Sequence, residues 1–451
     1  MLINTSKNLC NEPKKLETLI LGLGDTGVSA ANYFSKKGHN VTIIDSRPNP
    51  PGLNDLKSLS KKIKIHLETL DVAWMEGKDQ IIVSPGIKND IPILIEARRI
   101  KIPILSDIEI FVRKVSKPVL AITGTNGKST VVSILEHLLS NNGIRVAAGG
   151  NLGVPALDLI DDNIEIYILE LSSFQLDITD RPLSNSAAIL NIKPDHLDRH
   201  ITIKNYKNIK KKIFDFSKLA IFNYDDPLVK KMVDSKKKSI PFSQSEYLDS
   251  GCSIKTIGNV RWYSAFGKEI LPVDSLKISG PHNESNILAA IALASSLDIK
   301  IDFSSLKNFR GLPHRCQLIE KKDNISFIND SKSTNISSTI AALNSYDNPI
   351  VLIAGGRGKG SDFNELSEAS KEKLIGAVVI GESAKNIEDV LRSICPVKHA
   401  ISMKEAVERA WELSDKDTTI ILSPSCSSFD MYNNYVERGN QYISSVKEFL
   451  Q

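Results

Sequence analysis

Short runs of β-branched and aliphatic residues alternate along the chain with segments whose apolar positions recur every three or four residues. The first run is Leu16–Leu21, and an amphipathic segment through Phe34 and a second run, Asn40–Ile44, follow it. The alternation starts again at Pro118 and near Gly311. Such alternation is typical of strand–helix–strand units, whose strands pair in parallel. The pattern therefore predicts an α/β protein built from three such units.

A glycine-rich segment in the second unit gives the strongest indication of chemistry. Residues 124–130 read GTNGKST and lie between the predicted strand Pro118–Ile122 and an amphipathic helix. In this setting glycines let backbone amides face phosphate oxygens, Lys128 adds an ammonium, and the Ser129 hydroxyl suits Mg²⁺. The general phosphate-loop pattern has a further glycine where this chain has Ile122, so only its GxxGK[ST] core is present. The segment predicts nucleoside triphosphate binding, with a purely structural glycine turn as the alternative.

The remaining pattern sets the expected domains. Further strands are predicted at 164–169, 187–190, 349–353, 376–380 and 418–422, whereas residues 235–278 indicate only short strands. We expect a Rossmann-like N-terminal domain over 1–110 and a central P-loop ATPase-like domain with a mostly parallel sheet over 111–311. A Rossmann-like C-terminal domain is expected over 312–451.

Composition narrows the class of protein. The chain has 451 residues, of which 41% are apolar and 24% charged, as in globular proteins that bury several cores. No apolar run approaches the roughly 18 residues that span a bilayer, and the N-terminal residues lack a secretory signal pattern, so we expect a cytoplasmic protein. The net charge of +4 is too balanced to indicate nucleic-acid binding. Five separated cysteines without a CxxC pair predict free thiols rather than a zinc site or disulfides.

The first unit carries a second glycine loop that has more than one interpretation. Gly22-x-Gly24-x-x-Gly27 follows a strand and Asp45 closes the next one, which reproduces the dinucleotide-binding fingerprint. This pattern would suit a nicotinamide-dependent oxidoreductase. However, Arg47 follows Asp45 closely and can pair with a phosphate or carboxylate, so a nucleotide-diphosphate substrate fits equally well. A structural turn is the third possibility.

Two polar segments follow strands of the second unit. Glu170 ends a predicted strand, at the sheet edge where α/β proteins collect ligands, and is a candidate magnesium ligand. A solvent-exposed glutamate is the alternative. Residues 195–200 read DHLDRH and place five ionisable side chains in six positions, which costs stability unless a ligand is bound there. Imidazole and carboxylates in such a cluster suit a hard cation or phosphate.

A basic stretch comes next, comprising Lys204, Lys207, Lys210, Lys211 and Lys212 around Tyr206. Most of these lysines are expected on a solvated helix face. A helix turns by about 100° per residue, so one of them can point inward. Composition does not select which one.

Seven ordered motifs resemble one known family over nearly the whole chain. They are GTNGKST, ELSSFQL, DHLDRH, GPHNESN, GLPHR, NDSKSTN and SPSCSSFD, and this order is similar to that of the Mur ligases of bacterial cell-wall synthesis. The forms ELSSFQL and DHLDRH resemble the members that add D-glutamate to UDP-N-acetylmuramoyl-L-alanine. The resemblance implies an ATP-dependent ligase with two Mg²⁺ ions and no NAD. It also implies a monomer without nucleic-acid partners or membrane insertion.

The resemblance assigns roles to individual residues. For the UDP-substrate it implies Asp25, Thr26, Asp45, Ser46, Arg47, Ser84, Gly86 and Asn151. For ATP it implies Gly124, Thr125, Asn126, Gly127, Lys128, Ser129, Thr130, Asn286, Arg315 and Asp330. For D-glutamate it implies Lys332, Thr334, Lys359, Ser428 and Tyr435, the last at a position where Phe also occurs. The implied catalytic residues are Lys128, Asn151, His196, Lys210 and Arg315.

The implied metal ligands are Ser129, Glu170, His196 and Lys210, which the family carbamylates four residues after a tyrosine. A carboxylate would attack the γ-phosphate of ATP, and the amine of D-glutamate would then attack the acyl phosphate. We further expect the third domain to close over the second and exclude water. Two alternatives are an oxidoreductase and a nucleotide-dependent switch protein. An oxidoreductase would give no functional role to Lys128, Glu170 and His196.

Overall fold

The computed structural model describes residues 15–57, 63–151, 153–278, 280–358 and 362–451. Lys359, Cys10 and the side chain of Asp198 lie outside the described residues. The chain forms two compact units. The first comprises Met1–Ala121, Val146–Asn185 and Asp215–Ser217, and the second Ile122–Arg145, Ser186–Phe214 and Lys218–Gln451. Among the described helices, none combines the length and the apolar character needed to cross a membrane.

The first sheet is entirely parallel and belongs to the first unit. Its elements are β1 (Glu17–Leu21), α1 (Asp25–Lys36), β2 (Asn40–Asp45), α2 (Leu53–Lys57), β3 (Lys64–Leu67), β4 (Gln80–Val83), α3 (Pro92–Arg99), β5 (Ile104–Leu105) and α4 (Asp107–Lys114). The strand order is β3-β2-β1-β4-β5. Because β1 is central and its order reverses there, the loop after β1 lies at the point where such sheets bind ligands.

The second sheet has nine strands. Its elements are β6 (Val119–Thr123), α5 (Lys128–Asn141), β7 (Val146–Gly150), β8 (Ile166–Glu170), α6 (Ser173–Ile178), β9 (Ser184–Ile189), α7 (Leu197–His200), α8 (Ile203–Asp215), β10 (Ser217–Asn223), α9 (Pro227–Lys230), β11 (Ser239–Ser243), β12 (Cys252–Ile257), β13 (Val260–Ala265), β14 (Lys268–Pro272) and α10 (Pro281–Ser295). The order is β14-β13-β12-β11-β10-β9-β6-β8-β7. Strands β12, β13 and β14 form an antiparallel meander, which confirms short strands within 235–278.

The third sheet has six strands and lies in the second unit. Its elements are β15 (Gln317–Lys322), β16 (Ile325–Asn329), α11 (Ile336–Leu343), β17 (Ile350–Gly355), α12 (Asn364–Ser370), β18 (Leu374–Ile380), α13 (Ala384–Leu391), β19 (Val397–His399), α14 (Met403–Glu412), β20 (Thr419–Leu422) and α15 (Tyr435–Leu450). The order is β15-β16-β20-β17-β18-β19, and β15 pairs antiparallel with β16. Alternate residues of β17 enter two hydrophobic clusters: Leu352 joins one and Val351 the other.

The α/β class and the mostly parallel sheets, predicted from the alternation of patterns, are confirmed. Strand bounds differ from the prediction by one to three residues, because strand ends depend on pairing partners that local composition does not encode. For example, the run Ile164–Leu169 forms β8 at Ile166–Glu170. The helix predicted after the phosphate loop is α5, and Gly143 has φ +77° just beyond its end, a conformation that favours glycine.

A strained turn follows α7 in the segment that reads DHLDRH. Ile201 has φ +66° and ψ −47°, and the Thr202 amide donates to the His200 carbonyl at 2.7 Å, which closes a γ-turn. This turn is rare even for flexible residues, and a β-branched side chain makes it more costly. The Ile201 side chain is 81% exposed, so little burial offsets that cost.

We therefore expect Ile201→Gly to stabilise the protein. Glycine adopts positive φ without steric cost, so the free energy of unfolding should rise by about 1 kcal/mol after glycine's own entropy is counted. The apparent midpoint of thermal unfolding measures this. Ile401→Gly is the matched control, since Ile401 is 89% exposed and is not among the positive-φ residues. An increase in the control alone, or none in Ile201→Gly, contradicts the expectation.

Candidate functional site

The phosphate loop connects β6 to α5 and has little room for side chains. Gly127 has φ +88°, and a Cβ placed on it would lie 2.3 Å from Oδ1 of Asn286 on α10. Glycine is therefore required both by the backbone and by the neighbouring carboxamide. Ser129 and Thr130 are buried in the first turn of α5, and the loop leads directly into the N-terminus of this helix, the end that favours anions.

Asn191, which sequence reasoning did not select, fixes the phosphate loop. Its Oδ1 accepts from the Asn126 amide at 2.9 Å, and its Nδ2 donates to the Asn126 carbonyl at 3.1 Å. Thr125 is held in turn by its amide to the Asn191 carbonyl, 3.0 Å, and by its hydroxyl to the Lys193 carbonyl, 3.2 Å. The segment after β9 therefore holds the loop through paired hydrogen bonds. A single asparagine after a strand is common, so the sequence did not indicate that Asn191 holds the loop.

Lys128 lies over the loop that it follows. Its Nζ donates to the carbonyls of Gly124, at 3.0 Å, and Thr125, at 2.9 Å. The ammonium is thus already at the loop rim, where the phosphates of a nucleotide would bind, on a flexible stem that can turn toward them.

A cavity of about 720 Å³ adjoins the phosphate loop within the second unit. Its walls include six of the residues assigned to ATP: Asn126, Gly127, Thr130, Asn286, Arg315 and Asp330. The guanidinium of Arg315 reaches the loop, since Nη2 donates to Ser129 Oγ at 3.2 Å. The structure therefore brings this part of the ATP set together, and the volume suits a ligand of nucleotide size.

Asp330 follows β16 and is a buried carboxyl in this cavity. Its oxygens accept from the hydroxyls of Ser333, at 2.5 Å, and Ser423, at 2.8 Å, and from the Cys316 amide at 3.1 Å. Burial raises the pKa of Asp330 to about 6, although these hydrogen bonds and Arg315 oppose the rise. The group is therefore mostly ionised at neutral pH and held in one orientation.

Residues at the start of α11 meet the phosphate loop, which sequence reasoning missed. The Asn126 side chain donates to Ser337 Oγ at 3.0 Å and accepts from Ser338 Oγ at 2.8 Å. Asn335 caps α11 and its Nδ2 lies 3.4 Å from Asn126 Oδ1 and 3.3 Å from Asp195 Oδ2. The partners are more than 130 residues apart, so no local pattern indicates them.

Lys210 is the inward-pointing lysine of the basic stretch. It is 1% exposed on α8, whereas Lys204 is exposed. Its Nζ donates to Thr123 Oγ1 and to the Gly124 carbonyl, both at 3.0 Å, and lies 4.8 Å from the Tyr206 ring centroid. The Tyr206 hydroxyl lies 3.2 Å from Thr125 Oγ1. Lys210 and Tyr206 therefore both contact the start of the phosphate loop.

His196 is also in the second unit and has φ +52° at the start of α7. Its Nε2 lies 3.6 Å from Asp195 Oδ2, and its side chain is about one-third exposed. His200 of the same segment is buried, and its ring lies 5.4 Å from that of Tyr206. The segment therefore separates into an accessible imidazole and a packed one.

Glu170 and Asn151 form a joined pair in the first unit. The Asn151 amide donates to the Glu170 carbonyl and its Nδ2 to Glu170 Oε1, both at 2.8 Å. Glu170 is 3% exposed, so the alternative of a solvent-exposed strand end is wrong. A Cβ on Gly150 would lie 2.4 Å from the Glu170 carbonyl oxygen, and this close approach fixes the pair.

The glycine loop of the first unit is built around Asp45. Its carboxylate accepts from the Leu23 amide at 2.7 Å, and from Arg47 Nε at 2.9 Å and Nη2 at 2.8 Å. Burial alone would raise the pKa of Asp45, but these hydrogen bonds outweigh it and lower the pKa. Sequence reasoning gave Asp45 and Arg47 separate ligand roles, whereas the structure pairs them with each other.

Three other residues assigned to the UDP-substrate, Asp25, Thr26 and Ser84, border this loop. Ser84 is buried and its hydroxyl donates to the Gly22 carbonyl at 3.0 Å. Asp25 and Thr26 are the first two residues of α1. Ser46, which precedes Arg47, and Gly86, two residues after Ser84, are both exposed. A Cβ on Gly27 would lie 2.1 Å from the Gly22 carbonyl oxygen, so α1 starts in close contact with the loop.

The residues assigned to D-glutamate are partly brought together. Lys332 Nζ lies 3.7 Å from the ring centroid of Tyr435, at the start of α15. Ser428 is buried, Thr334 is partly buried, and Lys359 lies outside the described residues. Arg438, which sequence reasoning missed, is 1% exposed and donates to Ser331 Oγ at 3.0 Å and to the Cys426 carbonyl at 3.1 Å. It ties α15 to the loops around that region.

No group of three or more His, Cys, Asp or Glu side chains in the described part of the chain is arranged to hold a metal by itself. The Ser129 hydroxyl in the second unit and the Glu170 carboxylate in the first are each, taken singly, hard oxygen donors of the kind that Mg²⁺ prefers. Such ions usually complete their coordination with substrate phosphates, so donors of this kind fit a nucleotide-dependent Mg²⁺. The four described cysteines form no disulfide, as expected.

Three family models match the chain. They are the Mur ligase MurD-like N-terminal domain at residues 16–106, the Mur ligase middle domain at 122–294 and the Mur ligase glutamate ligase domain at 314–426. A UDP-N-acetylmuramoylalanine–D-glutamate ligase of Legionella pneumophila (strain Paris) is 39% identical, covering 95% of this chain and 98% of that one. The protein of the same name from Methylococcus capsulatus is 36% identical, covering 95% and 94%.

Solved structures support the same fold. A UDP-N-acetylmuramate–alanine ligase from Thermotoga maritima matches with a TM-score of 0.61 and 20% identity, over 96% of this chain and 100% of that one. A MurF ligase from the same organism, in complex with ADP, matches with a TM-score of 0.61 and 18% identity, over 98% and 96%. The matched domains cover most of the chain and the relatives nearly all of it, so the chain belongs to the Mur ligase family.

Proposed function

We propose that this protein is an ATP-dependent ligase that adds D-glutamate to UDP-N-acetylmuramoyl-L-alanine in peptidoglycan precursor synthesis. The names of its full-length relatives support this activity. The observation that carries the proposal is the cavity beside the phosphate loop. This cavity is lined in part by Arg315 and Asp330, which belong to the segment that forms the third sheet. A site completed by residues so distant in sequence suits a reaction that joins two substrates at a nucleotide.

Each proposed domain would hold the greater part of one substrate's binding residues. Residues 1–110 would hold the UDP portion at the loop around Asp45, and residues 111–311 would bind ATP. Residues 312–451 would bind D-glutamate through Lys332, Thr334, Lys359, Ser428 and Tyr435. Because the proposed substrates are charged nucleotides that do not cross membranes, the enzyme would act in the cytoplasm. We propose a monomer, since each of these substrates has its set of residues on one chain.

The proposed reaction has two steps. The carboxylate of the L-alanyl group attacks the γ-phosphorus of ATP, the bond to ADP breaks, and an acyl phosphate forms. The amine of D-glutamate then attacks the acyl carbon, loses a proton, and phosphate leaves. Two anions meet in the first step, so the chain must supply positive charge there. Lys128 and Arg315 lie at the phosphate loop and would supply it.

Magnesium fits the donors of this chain, and we propose two ions. Their proposed ligands in the second unit are Ser129, His196 and a carbamylated Lys210, and the proposed ligand in the first unit is Glu170. When bound, Mg²⁺ neutralises phosphate charge during phosphoryl transfer. Asn151 would contact the reacting carboxylate, and the hydrogen bond from its Nδ2 to Glu170 holds its side chain in place.

The test is phosphate release from ATP in the presence of UDP-N-acetylmuramoyl-L-alanine and a panel of D- and L-amino acids. We expect release with D-glutamate and none with L-glutamate, D-aspartate or L-alanine. Reactions without UDP-substrate are the control. Release with another amino acid would change the proposed substrate, and release that needs no amino acid would exclude a ligase and favour the nucleotide-switch alternative.

A further inference from the structure

Asn335 is the point at which the segment assigned to D-glutamate meets two other segments of the second unit. It caps the N-terminus of α11 and follows Lys332 and Thr334, two of the residues assigned to D-glutamate, within three positions. Its Nδ2 lies 3.4 Å from Oδ1 of Asn126, in the phosphate loop, and 3.3 Å from Oδ2 of Asp195, in the segment that reads DHLDRH. The proposed reaction does not yet use this contact.

Hydrogen-bond geometry fixes which end of the Asn335 carboxamide faces the phosphate loop. Its Oδ1 accepts from the Ser338 amide at 2.9 Å, and a backbone N–H can only donate, so this end must be the oxygen. The hydroxyls of Ser337 and Ser338 lie 3.0 and 2.8 Å from the same oxygen. Nδ2 therefore faces Asn126 and Asp195, and its two protons can serve the two acceptors.

Asn126 presents its side chain to α11 from a backbone that is itself held. Asn191 binds both the amide and the carbonyl of Asn126, at 2.9 and 3.1 Å. The Asn126 carboxamide in turn donates to Ser337 Oγ at 3.0 Å and accepts from Ser338 Oγ at 2.8 Å. A shift of the phosphate loop around a nucleotide would therefore act directly on the first turn of α11.

The connection from β16 to Asn335 is held at its start. Arg438 donates to the hydroxyl and the carbonyl of Ser331, at 3.0 and 2.8 Å. The Lys332 amide donates to the His314 carbonyl at 3.1 Å. Lys332 lies three residues before Asn335, which is at most about 11 Å of extended chain. A change in the position of Asn335 therefore alters the residues assigned to D-glutamate over a short distance.

We propose that Asn335 is a positioning residue that couples the nucleotide site to the amino-acid site. While Nδ2 bonds Asn126 and Asp195, the phosphate loop, the DHLDRH segment and the start of α11 keep one relative arrangement. A nucleotide that stabilises the loop in this arrangement lowers the cost of ordering the residues assigned to D-glutamate. By linkage, D-glutamate then tightens nucleotide binding by the same factor. The inference rests on the proposed function, because it takes D-glutamate as the amino acid.

Two substitutions separate this coupling from helix capping. An N-cap needs only an oxygen that accepts from the first turn, and Asp or Ser supplies it about as well as Asn does. Asn335→Asp therefore keeps the cap, and its negative charge suits the helix N-terminus. It replaces the Nδ2 donor with an acceptor that faces the acceptors of Asn126 and Asp195. Asn335→Ser also keeps the cap, but its shorter side chain reaches neither acceptor.

The test measures the dissociation constant of the β,γ-imido analogue of ATP by competition with a fluorescent ATP analogue, with and without saturating D-glutamate. For the unaltered protein we expect D-glutamate to tighten binding about tenfold, a usual strength of coupling between sites, and L-glutamate to cause no change. In Asn335→Asp and Asn335→Ser the effect of D-glutamate should fall below twofold, with thermal midpoints within a few degrees of that of the unaltered protein. Ser402→Asp, which places a carboxylate at the N-cap of α14, should keep the tenfold effect.

The effect of D-glutamate is a ratio taken within each variant, so a general change of nucleotide affinity caused by the new charge cancels. A tenfold effect preserved in either Asn335 variant would overturn the proposal. If only Asn335→Asp lost the effect, charge repulsion and not the missing donor would be the cause. Absence of the effect in the unaltered protein, while D-glutamate supports phosphate release, would also overturn the proposal. Failure of that release would instead reject the proposed ligase reaction on which the coupling rests.

Discussion

Lys128→Ala should lower the turnover of ligation by about 10³-fold, because in the proposed reaction it removes the ammonium that would face the transferring phosphoryl group. Nζ of Lys128 is held at the loop rim by hydrogen bonds that it donates to the carbonyls of Gly124, at 3.0 Å, and Thr125, at 2.9 Å. A triphosphate offers a stronger partner than neutral carbonyls, so the ammonium would move to it. The measurement is phosphate release at saturating substrates.

The control for this change is Lys300→Ala, which removes an exposed lysine beyond α10 and should leave turnover unchanged. The thermal midpoint of Lys128→Ala should stay within a few degrees of the unaltered protein, since the exchange is at a loop rim. A decrease of less than tenfold would show that Lys128 does not act on the phosphoryl group. A large fall in the midpoint would assign the loss to folding.

The phosphate loop and the sheet class were predictable because both are encoded locally. A strand, a four-residue loop and a helix follow one another at 119–141, and each has its own composition. The same holds for Glu170, whose position at the end of β8 follows from the apolar run before it. Local patterns of this kind survive folding because the backbone conformation depends mainly on neighbouring residues.

The contacts that complete the cavity were not predictable from the sequence. Asn126 meets Ser337 and Ser338, which lie more than 200 residues away, and His282 meets Ser345 across 63 positions. Serine and asparagine are common on surfaces and at helix ends, so their presence gives no signal until the fold places them together. Helical periodicity alone also could not show that Lys210 points inward, because it allows more than one lysine of the basic stretch to do so.

The pair formed by Asp45 and Arg47 shows a different reason for a missed feature. The two residues are only two positions apart. The dinucleotide-binding fingerprint, however, assigns the acidic residue to a ribose and gives no role to an arginine at the position of Arg47. In the structure Asp45 also accepts a hydrogen bond from the Leu23 amide, so its carboxylate orients both the glycine loop and the Arg47 side chain. A bound ligand would therefore meet an arginine already fixed in direction, half of whose side chain remains accessible.

Lys210→Ala should reduce ligation by about 10²–10³-fold and should recover part of that activity in the presence of formate or acetate. Lys210 is 1% exposed and hydrogen-bonded to Thr123 and Gly124, at the start of the loop that would hold the phosphates. Burying an ammonium is costly, and addition of CO₂ to its neutral amine would give an anion that a magnesium ion stabilises. The alanine variant leaves space in which a small carboxylate can replace that anion.

Lys207→Ala on the same helix is the matched control, because Lys207 is only partly buried and one turn removed. It should retain full activity and show no response to formate or acetate. Supplying ¹³C-labelled bicarbonate should give a carbamate signal in the unaltered protein and in Lys207→Ala, and none in Lys210→Ala. Full activity of Lys210→Ala without added carboxylate would refute the modification. Loss of activity with an unchanged carbamate signal would place the modification on another lysine, since only removal of the modified residue removes both.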